Sequence, residues 1–362
     1  TLVVGMTGCV QKPGSEGSDA KDGDKGGKGG YELALITDVG TIDDKSFNQG
    51  TWEGLEKYAK DNNLTHKYYK PTEKSDEACM NAIDLAVKGG AKVIATPGFL
   101  FEYPIMEAQT KYPDVSFILV DAEPKDKDGN VQIEDNVMSI MYAEEQAGYL
   151  AGYAAVTEGY KNLGFMGGIA VPAVIRYGYG FIQGADAAAK DMGLKAGDIK
   201  MKYTYVGNFD ASPENNAKAA AWYNEGTECI FACGGGVGNS VMKAAEGAGK
   251  KVIGVDVDQR SKIGERCLTS AMKGLPSAIN NALDSYFSGN FSELGGTAQQ
   301  LGLKDGDYIG LPTDSESWGF TTFTQDQYET VLAGIRDGSI EISSDTENQP
   351  EVGSHVTVDY IS

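Results

Sequence analysis

Short runs of β-branched and other apolar residues alternate with segments of helical periodicity along most of the chain, the pattern of parallel strands wrapped by helices. In the first half, strands are predicted at residues 32–37, 66–70, 92–96 and 116–120. Between them, Cys79, Ala82, Ile83 and Ala86 recur at helical spacing, and Gly89-Gly90 marks the stop. From Leu163 the pattern restarts, with strands predicted at residues 163–166, 201–206, 229–232 and 251–255 and a helix announced by Ser212 at its cap and Pro213 in its first turn. Returns are expected near residues 275–288 and 308–311. The reading is α/β, with two doubly wound lobes.

The segment GTIDDKSFNQGTWEGL hands the first strand over to a helix. Ser46, three residues before Gln49, fits a capping box, and the helix it opens carries an apolar stripe of Trp52, Leu55 and Ala59. At about 100° per residue Phe47 lies about 80 to 140° off that stripe. Two readings follow for the ring: a packed first turn or an exposed stacking platform.

Ligands of open α/β sheets bind beyond the carboxyl ends of the strands. Asp38, Asp121 and Asp256 are each the first polar group after an apolar run, LALIT, SFILV and KVIGV respectively. Any one alone could cap a helix or form a turn, but read as three equivalent positions they make a candidate set. Phe209 also sits between a strand and a capped helix, and is read as holding the place that Phe47 holds in the first half. On facing lobes, two such rings would close on opposite faces of one flat ligand, each stacking contact worth about 1 to 3 kcal/mol. Carboxylates around them would accept from hydroxyl or N–H donors. The run ACGGGVGNS, residues 232–240, lacks the Lys-Ser/Thr ending of a phosphate loop and has Asn239 where a third glycine is required, so it reads as a close backbone approach at a helix start. KDKDGN, residues 125–130, is one residue short of a calcium loop and reads as a surface turn.

The length of 362 residues suits two domains of ordinary size, and the formal net charge of -21 disfavours nucleic acid and anionic membrane surfaces as partners. Apart from Cys9, the cysteines are Cys79, Cys229, Cys233 and Cys267, and the histidines are His66 and His355; no zinc or Cys-His pattern and no cofactor motif is present. The beginning of the sequence adds a separate signal. Residues 1–8 are mostly apolar and small and read as the tail of a signal peptide, ending in Met6-Thr7-Gly8-Cys9, similar to a lipobox with Met in place of the usual Leu-like residue. After the lipidation candidate Cys9, the tether of residues 9–30 is rich in Gly, Ser, Lys and Asp, with a reach of about 25 Å. The alternative is an ordinary disordered terminus with an incidental cysteine.

ITDVGTIDDKSFNQGTWEGL, FILVDA, EEQAGYLAGYAA, GFIQGA, GVDVDQ and LTSAMK together resemble the basic membrane protein family, the PnrA-like and Med-like substrate-binding lipoproteins of ABC importers. The similarity extends over nearly the whole chain from Tyr31. It implies a type I periplasmic-binding-protein fold whose two lobes, joined by a hinge of three crossing strands, close on a purine nucleoside. Under that implication Phe47 and Phe209 sandwich the base, Asp38, Asn48 and Asp121 read or orient it, Asp256 and Lys273 hold the ribose, and Gly235 and Gly236 form a backbone wall. Residues 31–155 with 272–306 would form one lobe and 156–271 with 307–362 the other. The expected protein is not an enzyme but a monomeric receptor on the extracytoplasmic face of the cell membrane. It would be held there through its lipid alone and deliver its nucleoside to an ABC permease and its ATPase. Other classes stay open: a sugar-binding protein, a nucleoside-active enzyme that uses the carboxylates as acid and base, or a sensor or adhesin on the same fold.

Overall fold

LALI, VIATP and SFILV are apolar at every or nearly every position, which suits strands covered on both faces. A computed structural model describes residues 30–38 and 40–362 of the protein; the expected signal remnant, nearly all of the tether and Cys9 lie outside the described residues. The first half runs β1 (Leu33–Ile36), α1 (Phe47–Asp61), β2 (His66–Tyr69), α2 (Asp76–Lys88), β3 (Val93–Pro97), α3 (Glu102–Lys111), β4 (Ser116–Val120) and β5 (Val137–Tyr142). After α4 (Glu144–Glu158) the alternation repeats with β6 (Asn162–Gly167), α5 (Pro172–Asp191), β7 (Ile199–Tyr205), α6 (Pro213–Asn224), β8 (Cys229–Cys233), α7 (Gly236–Ala248) and β9 (Lys251–Asp256). The chain closes with α8 (Arg260–Ile263), β10 (Cys267–Lys273), α9 (Leu275–Phe287), β11 (Thr297–Leu301), β12 (Ile309–Gly310), α10 (Gln325–Asp337) and β13 (Val356–Tyr360).

Two sheets result, one in the order β11-β5-β4-β3-β1-β2 and one in the order β12-β10-β9-β8-β6-β7-β13. Pairing is parallel throughout except between β10 and β12. The central strands β1, β3 and β8 are wholly buried, whereas edge strand β11, TAQQL, is largely exposed. That exposure is why its composition gives no strand signal: a sheet edge facing water does not need apolar residues.

Setting the two orders side by side matches β1 to β6, β2 to β7, β3 to β8, β4 to β9 and β5 to β10. This corrects two expectations. Phe47 follows β1, but Phe209 follows β7, the counterpart of β2, so the two rings do not occupy equivalent places. Asp38 follows β1 and has no match among the other two aspartates, whereas Asp121 and Asp256 are true counterparts at the ends of β4 and β9.

The helices after β5 and β10 change sides. α4 packs along α5 of the second lobe, and α9 packs on α1 of the first. The contact of α4 with α5 is backbone on backbone: a Cβ at Gly148 would lie 2.1 Å from the Tyr177 carbonyl oxygen, and one at Gly180 2.1 Å from that of Glu145. The glycines of EEQAGYLAGYAA and IRYGYGF therefore remove side chains where the two helices cross. The chain leaves the first sheet between Tyr142 and Glu144, ahead of the expected boundary at residue 155, because α4 buries its glycine face on the second lobe. It crosses again between Lys273 and Leu275 and between Leu301 and Ile309. The crossings are tied together: the Tyr142 hydroxyl donates to the Gly274 carbonyl at 3.3 Å and Ala143 N–H to the Leu301 carbonyl at 2.9 Å. Among the described residues no helix is long and apolar enough to cross a membrane.

Candidate functional site

The carboxyl ends of both sheets open on one cleft between the lobes. It holds about 800 Å³ of space between atoms, its open mouth included. Asp38, Phe47, Asn48 and Asp121 line it from the first lobe; Phe209, Gly235, Gly236, Asp256 and Lys273 line it from the second. Sequence reasoning had not singled out Asp44, Phe99 or Tyr177, which line it as well.

The start of α1 builds one wall, and not as the capping box predicts. Ser46 is the N-cap residue but its side chain makes no cap. Asp44 takes that role: its two carboxylate oxygens accept from the backbone N–H groups of Ser46 at 2.8 Å, Asn48 at 3.0 Å and Gln49 at 3.1 Å. Gln49 Oε1 instead accepts from Lys45 N–H at 2.9 Å. Asp44 wins because a carboxylate satisfies several orphan donors where a hydroxyl satisfies one. Burial pushes its carboxyl up to about 6, against the hydrogen bonds from Asn48, Ser46 and Gln49 that favour the ionised form. The Asn48 amide knits the wall together, with Nδ2 donating to Asp38 Oδ1 at 2.8 Å and to Asp44 Oδ2 at 3.0 Å while Oδ1 accepts from Asp38 N–H at 3.1 Å. Asp38 is also pushed above the ordinary carboxylate value by burial, opposed by the hydrogen bond from Gly40.

Ser46 is diverted across the cleft, where its hydroxyl donates to Asp256 Oδ2 at 2.5 Å. Beside it, Gln259 Nε2 donates to the Lys45 carbonyl at 2.6 Å, again between lobes. The side chains of Ser46 and Gln259 are both buried, so the described arrangement is a closed one.

Lys273 ends β10 at the second crossing, and its ammonium is the centre of charge in the cleft floor. It pairs with Asp121 Oδ2, lies 3.4 Å from Glu144 Oε1 and 3.7 Å from Asp256 Oδ1, and sits about 5 Å above the rings of Phe47, Tyr142 and Tyr177. Only 2% of its side chain is exposed. Asp121 and Asp256 meet it from strand ends in left-handed backbone, with φ of 60° and 68°, a conformation that costs a non-glycine residue on the order of 1–3 kcal/mol. Burial pushes the Asp121 carboxyl up to about 7, Lys273 pulling it down and Glu144 and Asp256 adding to the rise. The ring of Lys273 carboxylates in turn holds its ammonium above the ordinary lysine value in spite of burial. Asp121 Oδ1 is buried with no hydrogen-bond partner among the described residues.

The aromatic lining comes from both lobes. Phe47 and Phe99 stand on the first, Phe209 on the second, and the Phe99 and Phe209 ring centroids are 6.4 Å apart at 57°. Phe209 rests on glycine backbone: a Cβ at Gly168 would lie 2.2 Å from its Cδ1, and one at Gly234 2.9 Å. The glycine run thus serves the protein's own packing too, since Gly236 N–H donates to the Phe209 carbonyl at 3.0 Å. Phe99 follows an apolar strand in ATPGFLF and Asp44 stands three residues before Phe47; these are the signals that would have found them. Cys79, Cys229, Cys233 and Cys267 are buried free thiols, and Cys233 reaches the cleft.

Residues 31–344 match the Bmp family, described as ABC transporter substrate-binding protein PnrA-like. The chain is 30% identical over 335 residues to the ABC transporter nucleoside-binding protein BmpA of Lactococcus lactis subsp. cremoris, covering 86% of this chain and 89% of the relative. It is 30% identical over 332 residues to the CD4+ T-cell-stimulating antigen of Listeria innocua, covering 86% and 88%. A solute-binding protein of an ABC transporter system from Aeropyrum pernix K1 has the same fold, with a TM-score of 0.70 at 21% identity over 86% of this chain and 87% of that one.

Proposed function

The chain belongs to the Bmp family of PnrA-like ABC transporter substrate-binding proteins, and from that premise we propose that it captures a purine nucleoside in the interlobe cleft and delivers it to an ABC permease. The observation that carries this reading is the pair of rings, Phe47 and Phe209, on opposite lobes of a cleft whose polar lining is mostly carboxylate. Flat heteroaromatic bases stack on such rings without charge, and carboxylates accept from base N–H and ribose O–H donors. Asp38 and Asp121, oriented by Asn48 and Lys273, would face the base edge; Asp256 and Lys273 would hold the ribose diol; the backbone at Gly235 and Gly236 would close the wall. The name of the Lactococcus relative supports a nucleoside.

Capture follows from lobe closure. The contacts of Ser46 with Asp256 and of Gln259 with Lys45 exist only when the lobes meet, so a ligand touching both lobes adds its binding energy to the closed state alone. Lipidation at Cys9 would tether this device to the extracytoplasmic face of the membrane, within reach of its permease.

The test is thermal unfolding of residues 30–362 against adenosine, guanosine, inosine, cytidine, uridine, free bases, ribose and glucose. A nucleoside at about 100 times its Kd stabilises by about 2.7 kcal/mol, several degrees at this size. Purine nucleosides are expected to raise Tm, and Phe47→Ala to abolish the rise. A rise with sugars alone would reassign the cleft, and a flat response across the panel would end the nucleoside reading.

A further inference from the structure

Lys273 faces three carboxylates, and only two of them, Asp121 and Asp256, line the cleft. The third, Glu144, opens α4 with none of its side chain exposed. A buried carboxylate of that kind, left to itself, would compete for the lysine ammonium and draw it off the cleft. It is not left to itself. Arg176, on α5, donates from Nε to Glu144 Oε2 at 2.7 Å, and its side chain is only 12% exposed. The charges therefore alternate from outside the cleft inward: Arg176, Glu144, Lys273, then Asp121 and Asp256.

We infer that Arg176 is a positioning residue for ligand capture: by neutralising Glu144 it frees Lys273 to balance the two cleft carboxylates, one from each lobe. The geometry has a structural cause. Gly148, Gly152, Gly180 and Gly184 let α4 and α5 meet at backbone distance, and that crossing brings the first residue of α4 beside the first turns of α5. Glu144 directly follows the first crossing between lobes and Lys273 directly precedes the second, so the same pair also joins the two crossing segments at the floor of the cleft. Glu145 accompanies Glu144, its Oε2 3.8 Å from Arg176 Nε, and it does not reach Lys273.

The functional form of this inference rests on the nucleoside reading of the cleft, and the test separates the two. Nucleoside affinity is measured by calorimetry for the wild type, Arg176→Met, Glu144→Gln and the double variant, each checked for a cooperative melt. Arg176→Met is expected to weaken binding by about tenfold, within the range of coupled buried groups. Adding Glu144→Gln removes the charge that Arg176 serves, and is expected to bring affinity back to within about threefold of wild type. A double variant as weak as Arg176→Met, or an Arg176→Met that binds normally, would overturn the inference. In parallel, the carboxyl ¹³C resonance of Asp121 is titrated without ligand; Lys273, Glu144, Asp256 and Arg176 itself are charged groups that act on it. Its midpoint is expected to move in Arg176→Met and return in the double variant. If the wild type binds no nucleoside, the ligand reading fails while this titration still decides the role of Arg176, an unmoved midpoint ruling it out.

Discussion

Ser46 and Asp256 join the two lobes through one hydrogen bond, the serine hydroxyl donating to the carboxylate at 2.5 Å where both side chains are buried. The residue type that sequence patterns assign to a helix cap is spent on closure instead, and Asp44 covers for it. Asp256 keeps Lys273 and Tyr177 as neighbours within its own lobe, whereas the hydrogen bond from Ser46 requires the two lobes to meet.

Ser46→Ala is therefore expected to weaken ligand binding without lowering Tm in the absence of ligand. A hydrogen bond to a charged group contributes about 1.5–3 kcal/mol, which corresponds to roughly a tenfold or greater loss of affinity. Because the bond forms on closure, the loss belongs in koff, and stopped-flow kinetics with the best ligand of the panel will show it. A change confined to kon would mean the bond does not report closure.

Acidification from about pH 8 to about pH 5.5 is expected to raise Tm. Asp121 and Glu145, each pushed by burial up to about 7, and Asp44, pushed up to about 6, hold their protons more tightly folded than unfolded. The folded state then binds more protons than the unfolded one between the ordinary carboxylate value near 4 and these raised values, so stability falls as pH rises through about 6 to 7. Glu158 acts in the opposite sense at lower pH. Despite its partial burial, the N–H groups of Phe323, Thr321 and Thr322 hold it below the usual value, and that contribution is lost as pH falls through its folded-state value. Asp121→Asn should flatten part of the neutral slope in calorimetric melts, and a wild-type Tm that is level or falling from pH 8 to 5.5 would contradict this account.

Gly180→Ala tests the crossing of α4 and α5. Its Cβ would fall 2.1 Å from the Glu145 carbonyl oxygen, which is backbone and cannot rotate aside. Overpacking of this kind costs about 1–3 kcal/mol or more, so Tm should drop by several degrees. Nucleoside affinity should fall as well, because separating the helices moves Arg176 from Glu144. Gly193→Ala, where among the described residues no atom beyond the adjoining ones in the chain lies within 4 Å of the added Cβ and φ is +67°, is a control for backbone strain without crowding.

The alternation of fully apolar runs with helical periodicity set the fold class and located the inner strands β1, β3, β4, β6, β8 and β9, because a strand covered on both faces has to be apolar along its whole length; the inner strands β5 and β10, whose runs VMSIMY and CLTSAMK carry polar residues, were not among those predicted. It also put Asp38, Asp121 and Asp256 at strand ends and marked Phe47 as a ring with no place on its helix's buried stripe. These are local properties, carried by residues a few positions apart. Tertiary structure decided the rest. Which strands are neighbours made Asp121 and Asp256 counterparts and denied that relation to Phe47 and Phe209, since sheet order depends on pairing between distant segments. The exposed edges β11 and β13, the exchange of α4 and α9 between lobes, and the replacement of Ser46 by Asp44 at the cap all follow from long-range packing. Arg176 and Glu144 show this most plainly: 32 positions apart, with nothing in their spacing to link them, they meet because glycines let two helices touch.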